Sequence, residues 1–197
     1  LGLLESGGEG RVSLHRLIAA FVRGVEGGDE AQVAVEETLA EEGYRLNKAG
    51  DPGPLLGWQS HLRAITEAAR ERKDAQAARL CNILGHYLWL TGDFVGARPY
   101  LEKALAVRER VLGREHLDTA QSLNDLGVLL NDAGYLSEAE TCYTRALAIR
   151  ERVLGLEHPD TAMSLSNLGS LFQDIEVFSR AQSYYERALE IQGRLLG

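Results

Sequence analysis

Residues 108–120 read RERVLGREHLDTA, and residues 150–162 read RERVLGLEHPDTA. The two phrases begin 42 residues apart, and the segments 104–123 and 146–165 around them are identical at 16 of 20 positions. Each phrase contains a charged, helix-favouring run that ends at a glycine, then a Glu-His pair, then Asp-Thr-Ala. A histidine beside carboxylates is compatible with a chemical site, and the same residues are compatible with a joint between structural units.

The residue types within the phrase favour the joint. Gly113 and Gly155 suit the position just after a helix, and Pro159 suits the first turn of the next one. Asp118 and Asp160 suit a capped helix start, where side-chain oxygens accept hydrogen bonds from unpaired backbone N–H groups. An active site normally occurs once in a chain, whereas this phrase occurs twice. We therefore predict a joint, with no catalytic residues and no metal site.

The RER triplets at 108–110 and 150–152 interleave arginine with glutamate. Alternating charge of this kind is typical of a solvated helix face. We therefore predict that these arginines lie on an outer, water-facing surface.

The 42-residue frame extends along most of the chain and predicts four copies. These are a degenerate copy at 38–79 and further copies at 80–121, 122–163 and 164–197. Each copy reads as two helices, with glycine and alanine where antiparallel helices approach closely enough to admit a neighbouring leucine or tyrosine. Glu176 replaces the glycine of the turn between the two helices, which predicts a looser turn in the last copy.

These positions resemble the tetratricopeptide repeat in the 42-residue form of kinesin light chains. The third copy carries the matching residues Leu123, Leu126, Gly127, Leu130, Ala139, Tyr143 and Ala146, and the fourth carries Leu165, Leu168, Gly169, Phe172, Ala181, Tyr185 and Ala188. The resemblance implies an all-α fold, a right-handed superhelical α-solenoid of helix-turn-helix repeats whose role is to bind proteins or peptides.

Residues 1–25 lie outside the repeat and read as a small β-hairpin followed by a helix. The segments Gly2–Leu4, Gly10–Arg11 and Leu14–Ile18 resemble the winged-helix end that follows the ATPase core of bacterial STAND (NB-ARC-type) signalling proteins. Residues 26–37 are predicted to form a linking helix. No GxxxxGK[ST] phosphate-binding loop occurs in the sequence, so the resemblance implies a segment that acts with an ATPase rather than the ATPase itself.

Composition excludes several other classes of function. The chain has 197 residues, a net charge of -8 and a pI of about 5.2, which disfavours binding to nucleic acid or to anionic membranes. Cys81 and Cys142 have neither disulfide-framework nor zinc spacing and read as buried apolar residues in a reducing cytoplasm. The N-terminus lacks the pattern of a signal peptide, and no cofactor motif is present. Because the chain does not begin with Met, we expect a fragment of a longer protein.

The resemblance also implies a binding groove lined by the first helix of each copy. Asn82 and Asn124 either hold the backbone of a bound peptide or brace the neighbouring repeat, and Trp89 is either a peptide anchor or part of the inter-repeat packing. We predict a mainly neutral-polar groove with Arg79 as its only fixed cation. The predicted groove residues are Arg79, Asn82, His86, Trp89, Gln121, Asn124, Val128, Asn131, Ser166, Asn167, Ser170 and Gln173.

The last helix carries apolar residues that would pack on a further copy. We expect Ile191, Leu195 and Leu196 to be bare, so that either more repeats follow or the chain self-associates there. The sequence as a whole predicts a binding module, the sensor or partner-docking segment of a STAND-type ATPase regulator. The alternative is a free-standing peptide or cargo adaptor similar to kinesin light chain repeats, and enzyme activity is not expected.

Overall fold

The computed structural model describes residues 29–48, 56 and 59–196. The hairpin and helix predicted for residues 1–25 lie outside the described residues. Within the described part, the regular secondary structure is entirely α-helical. The helices are α1 (Asp29–Lys48), α2 (Gln59–Ala69), α3 (Ala75–Leu90), α4 (Phe94–Val111), α5 (Leu117–Asp132), α6 (Leu136–Leu154), α7 (Pro159–Asp174) and α8 (Phe178–Leu196).

The chain divides into two compact units, and the first contains α1, α2 and α3. Both α1 and α2 pack against α3. α1 and α3 approach closely at Gly43, where an added Cβ would lie 2.5 Å from Cγ2 of Ile83. Asn47 at the end of α1 donates a hydrogen bond of 3.0 Å to the Ile83 carbonyl. α1 is continuous across residue 37, so the predicted linking helix and the start of the first copy form one helix.

The second unit contains α4 to α8, and each of these helices packs against the next. Close approach again occurs at glycine. An added Cβ at Gly127 would lie 2.7 Å from the Tyr143 ring, and one at Gly169 would lie 2.8 Å from the Tyr185 ring. The prediction that these small residues admit a tyrosine of the neighbouring helix is confirmed, and a side chain at either glycine would overpack the contact.

The turn between α7 and α8 shows that the prediction of a looser last turn was wrong. Glu176 has φ of 61°, in the same left-handed region as Gly134 at 81°. The hydrogen bonds also match: N–H of 134 and 176 donate to the carbonyls of 131 and 173 at 3.0 Å each. The packing of the helix pair therefore imposes one turn geometry, and the glutamate adopts it despite the steric cost of a Cβ there.

We predict that Glu176→Gly raises the free energy of unfolding by about 0.5–1 kcal/mol, because glycine reaches this conformation without a steric penalty. Gly134→Glu in the preceding turn is the converse control and should lower it by a similar amount. Urea unfolding followed by circular dichroism measures both. A destabilised Glu176→Gly variant would show that the glutamate side chain itself stabilises the turn.

The repeated phrase forms a joint between α4 and α5 and again between α6 and α7. His116 and His158 are the helix N-caps, and Nδ1 of each accepts a hydrogen bond of 3.1 Å from the N–H two residues later. The prediction that the aspartates cap these helices was wrong, because Asp118 and Asp160 lie within the first helical turn. There the helix dipole stabilises their negative charge. Pro159 is in the first helical turn as predicted.

A buried threonine closes each joint. The Thr119 hydroxyl donates to the Gly113 carbonyl at 2.8 Å, and the Thr161 hydroxyl donates to the Gly155 carbonyl at 2.9 Å. Both threonines are fully buried. Because the Asp-Thr-Ala segments form the first helical turns, α5 and α7 begin before the predicted copy boundaries at 122 and 164.

The first arginine of each phrase does not lie on a solvated outer face, so that prediction was wrong. Arg150 is only 2% exposed. Its Nη1 donates to Ser164 Oγ at 2.7 Å and to the Asp160 carbonyl at 3.3 Å, and its Nη2 donates to Gln121 Oε1 at 2.8 Å. Arg108 repeats the pattern, with Ser122 Oγ at 2.7 Å. In both copies the serine that accepts from the guanidinium lies 14 residues after the arginine.

The other charged residues of the phrase form ion pairs between neighbouring copies. Glu109 accepts from Arg145, and Glu151 accepts from Arg187 at 2.8 Å. Arg152 pairs with Glu115 in the preceding joint, and this arrangement recurs between Arg194 and Glu157. These pairs are exposed or partly exposed, so each contributes little free energy. Together they favour one register between successive copies.

We predict that Arg150→Met lowers the free energy of unfolding by about 1–3 kcal/mol, because methionine keeps the apolar stem and removes the donor to the buried Ser164 hydroxyl, the Asp160 carbonyl and the Gln121 amide oxygen. Arg152→Met, two residues away and exposed, is the matched control and should change it by less than about 1 kcal/mol. Urea titration of both variants tests this. Equal small effects would mean that the buried guanidinium does not stabilise the joint.

Candidate functional site

The predicted groove residues of the first unit lie on α3. Arg79 is exposed, and Asn82, His86 and Trp89 are half-buried. The His86 and Trp89 rings meet edge to face, with centroids 4.9 Å apart at an angle of 68°. This geometry is favourable for an aromatic pair and holds both rings in place.

The predicted groove residues of the second unit lie on α5 and α7, and together they form what we call the α5–α7 face. It is defined by Gln121, Asn124, Val128 and Asn131 on α5 and by Ser166, Asn167, Ser170 and Gln173 on α7. Asn124 is only 5% exposed, and its Oδ1 accepts a hydrogen bond of 2.7 Å from Asn167 Nδ2. Asn131 Nδ2 donates to Asp174 Oδ2 at 2.9 Å. Both pairs brace one first helix against the next.

Gln121 connects this face to the joint behind it. Its Oε1 accepts from the buried Arg150, and its Nε2 donates to Asp125 Oδ1 at 2.7 Å. Burial lowers the pKa of Arg150, while the Asp160 and Asp125 carboxylates act in the opposite direction. Arg150 is therefore a buried cation of the joint behind the face, and Arg79 as the only fixed cation of the groove stays a prediction.

Three carboxylates lie near the Tyr143 hydroxyl. Asp125, Asp132 and Asp174 all lie close enough to the Tyr143 hydroxyl to influence it. The pKa of Tyr143 is raised, first by burial and then by these carboxylates. The neutral-polar character of the groove stays a prediction. Asp132 and Asp174 occupy the same position of successive copies.

Several side chains of the α5–α7 face are open to solvent. Ser170 and Gln173 are exposed, and Val128 and Ser166 are half-buried. Gln173 Oε1 accepts a hydrogen bond of 3.3 Å from the Tyr185 hydroxyl. The face thus combines a braced, ordered backbone with polar groups that a ligand can reach.

The last helix differs from the prediction of a bare apolar face. Ile191 is buried, with 7% exposure, whereas Phe178 and Leu189 are largely exposed. The side chains of Leu195 and Leu196 lie outside the described residues. Self-association through this helix stays a prediction.

The chain belongs to the tetratricopeptide repeat family. The family model described as "Tetratricopeptide repeat" matches residues 73–150 and 129–193. The fold is accordingly an all-α solenoid of helical-hairpin repeats, and such repeats are protein-binding modules. The handedness of the superhelix stays a prediction.

Solved structures of low sequence identity share this fold. The putative kinesin light chain repeats of Podospora anserina match with a TM-score of 0.68 and 18% identity, over 97% of this chain and 99% of that one. BtubC (BKLC) from P. vanneervenii matches with a TM-score of 0.62 and 20% identity, over 96% and 91%. The apo form of RapI matches with a TM-score of 0.64 and 15% identity, over 95% and 71%. A comparison with curated protein sequences found no match.

The part of the chain that the structure describes contains neither a metal-ligating cluster nor a membrane-spanning helix. No group of three or more His, Cys, Asp or Glu side chains in this part of the chain is arranged to hold a metal ion. None of the helices described is both long enough and apolar enough to cross a membrane.

We predict that Asn124 and Asn167 are energetically coupled by at least about 0.5 kcal/mol in a double-mutant cycle of alanine substitutions, because they share one partly buried hydrogen bond. Urea unfolding of the two single variants and the double variant gives the coupling. Asn124→Ala with Gln182→Ala, whose side chain lies exposed on α8, is the control pair and should be additive. Additivity in both cycles would show that the Asn124–Asn167 contact does not brace the repeats.

Proposed function

We propose that the α5–α7 face docks a segment of a protein partner, and that the chain serves as the sensor or partner-docking part of a larger regulator. The observation that carries the proposal is the division of roles on this face. Asn124 and Asn167 are paired and mostly hidden, whereas Ser170 and Gln173 are exposed. A rigid surface with reachable donors and acceptors suits a bound peptide, because little side-chain entropy is lost on binding.

The strip on α3 is proposed as a separate contact region for a protein partner. Its exposed Arg79 and its His86–Trp89 pair provide a cation and a pre-ordered aromatic surface. Amphipathic rings of this kind give a large contact area at low entropic cost. Asn82 adds a carboxamide that can both donate and accept.

The regulator context rests on the N-terminal residues that resemble the winged-helix end of STAND-type ATPases. It predicts a GxxxxGK[ST] sequence upstream of Leu1 in the gene that encodes the chain, and a gene without that sequence contradicts the regulator. The alternative, a peptide or cargo adaptor, is favoured by the similarity to structures titled as kinesin light chain repeats. Both functions use the same docking face, and both are proposed for the cytoplasm, where the thiols of Cys81 and Cys142 would stay reduced.

Photo-cross-linking tests the docking face directly. Ser170→Cys places a thiol on the α5–α7 face, and Ser183→Cys places one at an equally exposed serine on α8. Both native cysteines are buried, and burial raises the pKa of Cys142 to about 11, so a maleimide benzophenone should label the introduced thiol selectively. A synthetic library of 15-residue peptides is the probe.

We expect the labelled Ser170→Cys variant to cross-link a reproducible subset of these peptides and the labelled Ser183→Cys variant to cross-link few or none. Excess unlabelled peptide from that subset should compete with the reaction, and mass spectrometry identifies the products. Equal yields from the two variants, or products that no peptide can displace, would contradict docking on the α5–α7 face.

A further inference from the structure

The hydroxyl of Tyr143 makes no hydrogen bond within the part of the chain that the structure describes. The residue is only 4% exposed, and its ring lies against Gly127. The equivalent residue of the next copy is Tyr185, whose hydroxyl donates to Gln173 Oε1 at 3.3 Å. One of two equivalent tyrosines therefore has its partner, and the other does not.

The two repeat positions differ by one methylene. The residue in register with Gln173 is Asn131, whose side chain is shorter and whose amide nitrogen is already held by Asp174. Asn131 Oδ1 is buried and has no hydrogen-bond partner among the described residues. Buried polar groups are normally satisfied, and leaving one unsatisfied is costly. That cost applies to Asn131 Oδ1, whereas the Tyr143 hydroxyl is not itself among the fully enclosed polar atoms. A buried acceptor without a described partner, beside a tyrosine hydroxyl that bonds to no described residue, indicates that a ligand completes the hydrogen bonding.

The charge around these groups determines which ligand fits. The Asp174 carboxylate is bonded to Asn131, and the carboxylates of Asp132 and Asp125 also act on the Tyr143 hydroxyl. Asn131 Oδ1 and the Asp174 carboxylate are acceptors, and the tyrosine oxygen can accept as well. A ligand with several N–H donors and a positive charge complements this arrangement.

We propose that Tyr143, Asn131 and Asp174, which we call the Tyr143 cluster, bind a basic side chain of the protein partner, arginine in preference to lysine. This inference rests on the proposed function, because it names the chemistry of the segment that docks on the α5–α7 face. A guanidinium presents five donors in one plane and can bond to several acceptors at once, whereas an ammonium is a more strongly hydrated point charge. The partner segment is thus predicted to be basic, as expected for a chain of net charge -8.

The test uses the peptides that cross-link to the Ser170→Cys variant. Each is resynthesised with its arginines replaced one at a time by citrulline, which has nearly the same shape and no charge. Fluorescence anisotropy then measures binding to the unmodified chain and to the variants Tyr143→Phe and Asp174→Asn. Asp160→Asn removes an exposed carboxylate at the other end of α7 and is the matched control.

We expect one citrulline replacement to weaken binding to the unmodified chain roughly tenfold, the change that about 1.4 kcal/mol produces. The same replacement should have little effect on binding to Asp174→Asn, and Asp160→Asn should behave as the unmodified chain. Tyr143→Phe should weaken binding without lowering the melting temperature, because it removes a hydroxyl that bonds to none of the residues that the structure describes. A purely structural hydroxyl would instead lower the melting temperature.

Three results would overturn the inference. Peptides that cross-link to the Ser170→Cys variant but bind equally well with citrulline would support the docking face and contradict the recognition of a basic side chain. Arginine amide that binds as tightly as the peptides would indicate a small-molecule site instead of a protein partner. Equal cross-linking to the Ser170→Cys and Ser183→Cys variants would overturn the docking face and this inference together.

Discussion

The buried guanidinium of Arg150 is the contact on which the order of the second unit depends. It extends from the end of α6, reaches Ser164 and the Asp160 carbonyl on α7, and also reaches Gln121 on α5. One side chain thereby fixes three helices. An isolated charge in such a place would be very unfavourable, and here a hydroxyl, a carbonyl and an amide oxygen offset the loss of water. Lysine could not replace it, because only a planar fork directs donors to acceptors on two different helices.

This constraint explains why the repeated phrase keeps nearly every letter. The first arginine enters the joint, the glutamate after it binds an arginine of the next copy, and the second arginine binds a glutamate of the preceding joint. The histidine caps the new helix, and the threonine binds the glycine carbonyl that ends the old one. Exposed ion pairs contribute little energy, and the buried contacts contribute more. Their combined effect is to make one angle and one register between copies more stable than others.

Much of the fold follows from the period of the sequence. The period of 42 locates the helix pairs, and small residues locate their crossings, because helix packing depends on spacing and size alone. The role of Arg150 was not predictable in that way. RER reads as a solvated triplet when only its neighbours are considered, whereas the partner of the arginine lies 14 residues further on, at Ser164. The turn at Glu176 failed for a related reason, since packing of the helix pair outweighed the local preference of the residue.

The candidate site was predictable only in outline. Helical spacing placed Asn124 and Asn131 on one face, but a carboxamide that braces and one that binds look identical in sequence. The structure shows how the two differ: both brace a neighbouring first helix, but the oxygen of Asn124 accepts from Asn167, whereas the oxygen of Asn131 is buried without a partner among the described residues. Repetition makes this difference informative. The backbone at Asn131 and Gln173 has the same turn geometry, so the two positions differ mainly in one methylene and in what it can reach. Gln173 accepts a hydrogen bond from the Tyr185 hydroxyl, whereas the hydroxyl of Tyr143, the equivalent residue beside Asn131, has no such bond among the described residues. In a scaffold built from similar copies, one copy therefore shows which hydrogen bonds the equivalent position of another copy can make. A position that lacks such a bond is the best place to look for binding.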